Sequence, residues 1–166
     1  MDRLWAGWRS GYVAAAGNGA LAGEGSIFRR ILDAGVPDAE THVVWRGEVT
    51  FALLNAYPYT CGHLLVMPYR EVGELEDLTP DESAELWTAT RAAVTAIKAA
   101  YRPQGVNVGL NLGEAAGAGI PSHLHVHVLP RWNADSNFMT SVAETRVLPE
   151  SLDETWRKLR DAWPDG

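Results

Sequence analysis

From His123 to Val128 the chain reads "HLHVHV", three imidazoles at every second position with an aliphatic residue after each. Successive side chains of a strand point to opposite faces, so this period of two predicts a strand and opposes a helix. Leu124, Val126 and Val128 would then bury one face, while His123, His125 and His127 share the other. The apolar face accounts for a fold. The histidine face needs a separate account, because a solvated strand face more commonly carries Thr, Ser, Lys or Glu.

Such a strand needs a sheet, and the rest of the chain supplies one. "THVVWRG" and "VTFALLN", split by Arg46, Gly47 and Glu48, predict a hairpin. "HLLVMP" at 63–68 follows the turn-rich "NAYPYTCG", and "GVNVGLN" leads through "LGEAAGAGIPS" into the histidine strand. Ser26 before "IFRRILDAG" predicts a short helix with Gly35 just past its end. The strongest helix signal is "LTPDESAELWTATRAAVTAIKAAY", with Thr79 as N-cap, Pro80 at the first helical position and Glu82 completing a capping box. Leu86, Trp87, Thr90, Val94, Ile97 and Tyr101 recur at three- and four-residue spacing and predict its core-facing stripe. Leu152, Trp156, Leu159 and Trp163 mark a C-terminal helix, with Ser151 and Glu154 as a cap pair. The expected class is α+β: a mainly antiparallel sheet of about five strands, the long helix across it and a C-terminal helix.

At 166 residues one domain is expected, divided into an N-terminal arm and loop (1–25), a catalytic core (26–148) and the C-terminal helix (149–166). Fourteen basic against twenty-one acidic residues give a net charge of -7, which opposes a broad nucleic-acid or anionic-membrane surface but allows a small anion in a local pocket. No apolar run approaches the roughly 18 residues of a membrane span, and a cytoplasmic protein is expected. Cys61 is the single cysteine; it excludes an internal disulfide, suits a reducing compartment and reads as a small strand or turn residue.

Three accounts of the histidine face compete: a polar strand face, a metal site and nucleophilic catalysis. Neighbouring histidines could grip one ion, but the outer two stand roughly 13 Å apart along a strand, so a third ligand such as His63 would be required. Neutral imidazole, with a pKa near about 6.5, is a good nucleophile toward phosphorus, and flanking rings can hold its tautomer or donate to phosphate oxygens. His125, with a histidine on each side, is the natural attacking group. The preceding "GEAAGAG", with Gly113, Gly117 and Gly119, could bring backbone N–H groups close to a phosphate. No dinucleotide "GxGxxG", P-loop or "GxSxG" elbow occurs, and Ser122 reads as structural.

The pattern His-φ-His-φ-His-φ-φ over 123–129 resembles the signature of the histidine triad (HIT) superfamily of nucleotide hydrolases and transferases. The likeness continues upstream through "LLNAYPYTCGHLLVMPYREVGELEDLTPDE" at 53–82. The flanking "RLWAGWR", "LPRWNADSNFM" and "RVLPESL" resemble the bacterial diadenosine tetraphosphate phosphorylase branch, with Gly7 and Ala134 as departures. The resemblance implies that His125 attacks the α-phosphorus and carries a covalent nucleotidyl intermediate. It implies that His123 and His127 support phosphate and imidazole, with His63 behind them. By the same route Asn55 would lie by the ribose, Asn111 by the α-phosphate or leaving group, Gly117, Ala118 and Gly119 by the phosphates, and Trp132 and Phe138 on the nucleotide side.

Gly117-Ala118-Gly119 stands where hydrolase members carry a Gly-Gln, leaving room for inorganic phosphate as second nucleophile. "GSIFRRI" stands where other members carry a zinc-binding Cys-x-x-Cys, so no structural metal is expected. The implied function is phosphorolysis of diadenosine tetraphosphate to ADP and ATP, by a homodimer or higher oligomer with no tightly bound cofactor, Mg²⁺ entering only with the substrate. Hydrolysis of dinucleoside polyphosphates or adenosine phosphoramidates, and nucleotide binding without catalysis, are the alternatives.

Overall fold

Residues Thr50–Leu54 (β2) and Leu64–Pro68 (β3) are buried at every position, which a strand reaches only when both faces of its sheet are covered. The computed structural model describes residues 24–135 and 148–164; all but the last two residues of the expected N-terminal arm, and Phe138, lie outside them. The remaining elements are helices α1 (Ile27–Asp33), α2 (Asp38–Thr41), α3 (Pro80–Tyr101) and α4 (Leu152–Asp161), and strands β1 (Val43–Arg46), β4 (Gly105–Leu110) and β5 (Val126–Arg131). The five strands form one antiparallel sheet in the order β1-β2-β3-β5-β4.

One face meets the two longer helices. Ala52, Leu54, Leu64, Val66, Leu124, Val126 and Val128 pack with Leu86, Ala89, Ala93, Ala96 and Ile97 of α3 and with Trp156 and Leu159 of α4. The opposite face meets α1, where Phe28 and Ile31 pack with Val43, Phe51, Leu53, Leu65 and Met67. The aliphatic half of the "HLHVHV" alternation therefore faces α3, and the histidine half faces α1.

Both long caps form as their sequences predict. The Thr79 hydroxyl accepts from the Glu82 N–H, the Glu82 carboxylate accepts from the Thr79 N–H, and the Ser151 hydroxyl accepts from Glu154. The buried stripe of α3 differs from expectation. Trp87 is 44% exposed, because it stands about 100° around the helix from Leu86, and the face is centred instead on Ala89, Ala93 and Ala96. The one-turn α2 was not anticipated, since four residues are too few to show a period. Ladder pairing of the histidine strand starts at Val126 and not at His123. His123–His125 run alongside Val72, with one backbone bond from the Leu124 N–H to the Val72 carbonyl at 2.7 Å. Gly73 permits this approach, as a Cβ there would lie 2.7 Å from the Pro121 carbonyl oxygen.

Helix α3 also fastens the β1–β2 turn. The Glu85 carboxylate accepts from the Glu48 N–H, the Val49 N–H and the Thr50 hydroxyl, each at 2.8 Å. Burial pushes its carboxyl upward, but those hydrogen bonds outweigh burial and hold it below the usual carboxylate range. Glu85→Ala should destabilise the protein by about 1–3 kcal/mol by stranding these donors, seen as a lower urea midpoint at an unchanged slope.

Candidate active site

The sense of each ring bond is set by backbone groups that can act in only one way. The carbonyl of Pro68 lies 2.8 Å from His123 Nε2 and can only accept, so the proton of that neutral ring is on Nε2. Bare Nδ1 then accepts from the Ser26 hydroxyl at 2.6 Å. The carbonyl of His123 lies 2.8 Å from His125 Nδ1, so His125 keeps its proton on Nδ1. Its Nε2 is left bare.

A second chain reaches the same place from the turn before β3. The Tyr59 N–H donates to His63 Nδ1 at 3.1 Å, so the His63 proton is on Nε2, which donates to His127 Nδ1 at 2.9 Å. His127 must then carry its proton on Nε2. The pair facing the cavity is thus a bare nitrogen on His125 and an N–H on His127, with ring centroids 4.9 Å apart. Gly62 (φ +81°) turns the chain into His63, and a Cβ there would come within 2.9 Å of the Tyr101 ring.

Burial keeps these rings neutral. Desolvation lowers the His123 and His125 pKa values below the ordinary histidine value, against the raising effect of their carbonyl partners. His127 is brought down to about 4, by burial first and by neighbouring His125 second. Imidazole is therefore available as a nucleophile throughout the neutral range.

His125 and His127 open on a cavity of about 420 Å³, lined further by Ile27, Phe28, Asn55, Tyr57, Tyr59, Leu65, Gly117, Gly119 and Ile120. Its apolar wall suits a flat heterocycle, and its histidine end suits a phosphate. A second cavity of about 450 Å³ lies between the turn before His63 and the start of α4. Its carboxylates are already engaged, Asp153 by His42 and Glu150 by Tyr101 and Lys158, and neither cavity-facing ring nitrogen opens into it.

The structure brings His63, His125 and His127 together with Asn55, Gly117 and Gly119. Asn55 is largely engaged by the protein, its Oδ1 accepting from the Tyr57 N–H at 2.9 Å and its amide facing His63 at 3.4 Å. His123 is fully buried with both ring nitrogens occupied, so it holds the backbone and does not reach phosphate. The Asn111 amide donates to the Gly117 carbonyl at 3.4 Å. The glycine loop is less open than expected. The N–H groups of Ala116, Gly117 and Ala118 turn back onto Gly113 and Glu114, and among the described residues that of Gly119 has no such backbone partner. Trp132 packs edge-on against Tyr101 just past the far end of β5, away from the cavity within this chain, because the rest of β5 beyond His127 lies between them.

Ser26, Phe28, Tyr57 and Tyr59 belong to the site without having been predicted in it. Ser26 was legible only as a helix cap, and the tyrosines only as part of a turn. Among the described residues no cluster of His, Cys, Asp and Glu could hold a metal ion.

Comparison with known proteins gives a consistent picture. The chain is 46% identical, over 98% of its length and 85% of the relative's, to the AP-4-A phosphorylase of Mycobacterium tuberculosis (strain ATCC 25618 / H37Rv). It is 38% identical, over 57% of its length and 52% of the relative's, to the asymmetrical bis(5'-nucleosyl)-tetraphosphatase of Schizosaccharomyces pombe. Among solved structures it resembles a Zn-bound histidine triad family protein from Mycobacterium smegmatis, at a TM-score of 0.67 and 28% identity over 82% of this chain and 91% of that one. The HIT domain model matches residues 36–134, a span running from α2 to just beyond the histidine strand, and on that match the chain belongs to the HIT family.

Proposed function

We propose that this protein is an enzyme that cleaves dinucleoside polyphosphates, diadenosine tetraphosphate foremost, by phosphorolysis to ADP and ATP. The observation that carries the reading is the bare Nε2 of His125 at the cavity, its other nitrogen fixed as a donor to the His123 carbonyl. In the first step that nitrogen attacks the α-phosphorus, the bond from phosphorus to the bridging oxygen breaks, and ATP leaves while AMP stays on His125. In the second step an oxygen of inorganic phosphate attacks the same phosphorus, the P–N bond breaks and ADP is released. Water in that role would give AMP.

The His127 Nε2–H is positioned to donate to a phosphate oxygen as charge moves onto it. Among the described residues no carboxylate lines the cavity, and Mg²⁺ would be held by the substrate's own phosphates. The phosphorolytic outcome draws support from the Mycobacterium tuberculosis relative and from the missing glutamine beside Gly117.

Among the described residues no helix is long and apolar enough to cross a membrane, and a cytoplasmic location accompanies this reading. So does a homodimer. β4 is an edge of the sheet, with Val108 44% exposed on it, and an open edge of this kind is a template for pairing with a second copy. Light scattering should give twice the chain mass of 18.1 kDa; the single-chain mass would oppose the dimer.

Incubation with diadenosine tetraphosphate should yield ADP and ATP only when phosphate is present, as resolved by chromatography. AMP with ATP would mean hydrolysis, turnover of adenosine phosphoramidate alone would mean the amidase alternative, and binding without conversion would leave a nucleotide-binding protein. His125→Asn should lower turnover on the order of 10³-fold or more, and near-normal turnover would remove the covalent step. Because the His125 pKa is lowered, the active neutral form persists as pH falls through the ordinary histidine range. The acid limb of kcat/KM should therefore lie below about pH 6.5.

A further inference from the structure

Ser26 is the N-cap of α1, where its hydroxyl accepts from the Arg29 N–H at 3.2 Å. The same hydroxyl makes a second bond that a cap does not require, to His123 Nδ1 at 2.6 Å across 97 residues of sequence. The direction of that bond is fixed, since the His123 proton faces the Pro68 carbonyl, so the serine donates. Ser26 is nearly buried at 6% exposure and His123 is fully buried, which leaves water little room to replace the donor. The Ser26 backbone is tied down as well, its N–H donating to the Glu71 carboxylate at 2.7 Å.

The consequence reaches the attacking group through one residue. The ring of His123 is clamped between Ser26 and Pro68, and the carbonyl of His123 accepts the Nδ1 proton of His125. Phe28, two residues along α1, makes edge contacts with both rings at centroid distances of 5.4 and 5.3 Å, and together with Ile27 it lines the nucleotide cavity. The helix that walls the cavity thus also holds the strand segment that orients the nucleophile.

We infer that Ser26 is a positioning residue of the reaction, its hydroxyl locking the His123 ring so that the His123 carbonyl holds His125 with Nε2 bare and aimed at the cavity. The inference rests on the function proposed above. It assigns to Ser26 a share of the chemical step and none of substrate binding.

Ser26→Gly separates the loss of the donor from a loss of stability, because both hydroxyl bonds disappear while glycine is tolerated at an N-cap at little cost. The expected result is a fall in kcat of about tenfold, the effect of one lost hydrogen bond, with KM within about twofold of the parent. Imidazole ¹⁵N spectra supply a readout that does not depend on turnover. In the parent, His123 should be protonated on Nε2 and His125 on Nδ1. In Ser26→Gly, His123 should keep its Nε2 proton at Pro68 with its Nδ1 signal shifted by loss of the donor, while His125 should move toward mixed tautomers as the clamp on the His123 carbonyl loosens. Ser26→Ala, which loses cap and donor together, should show the same kcat loss with an added fall in melting temperature.

An unchanged kcat in Ser26→Gly would overturn the inference, and so would a reduced kcat with an unaltered His125 tautomer. A parent protein that turns over no dinucleoside polyphosphate would instead overturn the proposed function, while the spectra would still decide whether Ser26 holds His125 in its Nδ1 form.

Discussion

The Nδ1 proton of His125 is held by the carbonyl of His123, two residues back in the same chain, and the character of the site follows from that bond. An imidazole free to exchange tautomers offers either nitrogen to an incoming phosphorus, and one facing a carbonyl offers only one. The other site rings are fixed by the same logic. Pro68 supplies an acceptor to His123 and Tyr59 supplies a donor to His63, so main-chain groups outside the cavity determine which nitrogen of each ring carries hydrogen. Side chains then follow that choice, His63 donating to His127 and Ser26 donating to the bare nitrogen of His123.

Such an arrangement works only with neutral rings, and the sheet enforces neutrality by burial. His123 and His125 lie on the α1 face, beside Phe28, where a charged imidazolium would lose most of its hydration. The same burial that would be costly for a structural histidine is what keeps a lone pair available at neutral pH. A surface strand with the same sequence would titrate near the ordinary histidine value and would leave both nitrogens to water.

Much of the architecture was legible in the residues. The caps at Ser26, Thr79 and Ser151, the alternation at 123–128 and the split at Arg46–Glu48 each encode a local geometry that tertiary contacts left intact. Of the spaced stripe on α3, Leu86, Thr90 and Ile97 are buried while Trp87 turns outward, and the small Ala89, Ala93 and Ala96 let the helix axis lie close to the sheet. In the site, His63, His125 and His127 could be named from pattern and resemblance, but the difference between His125 and His123 could not. In the sequence both belong to one alternation with identical chemistry, and it is the contacts with Ser26 and Pro68 that hold His123 out of the cavity. Phe28 was hidden for a related reason, since it joins the site through a chain crossing that no spacing in the sequence records, whereas Tyr57 and Tyr59 enter through the local turn between Asn55 and His63.

The bond from Ser26 to His123 also bears on how this protein matures during folding. Pairing of β2 with β3 closes through a short connection, and such local contacts form early, while a contact spanning 97 residues bears a larger loop-closure entropy and forms late. A chain with its sheet assembled but α1 undocked would show native-like strand content and still lack an aligned nucleophile, so catalytic competence would trail secondary structure in refolding.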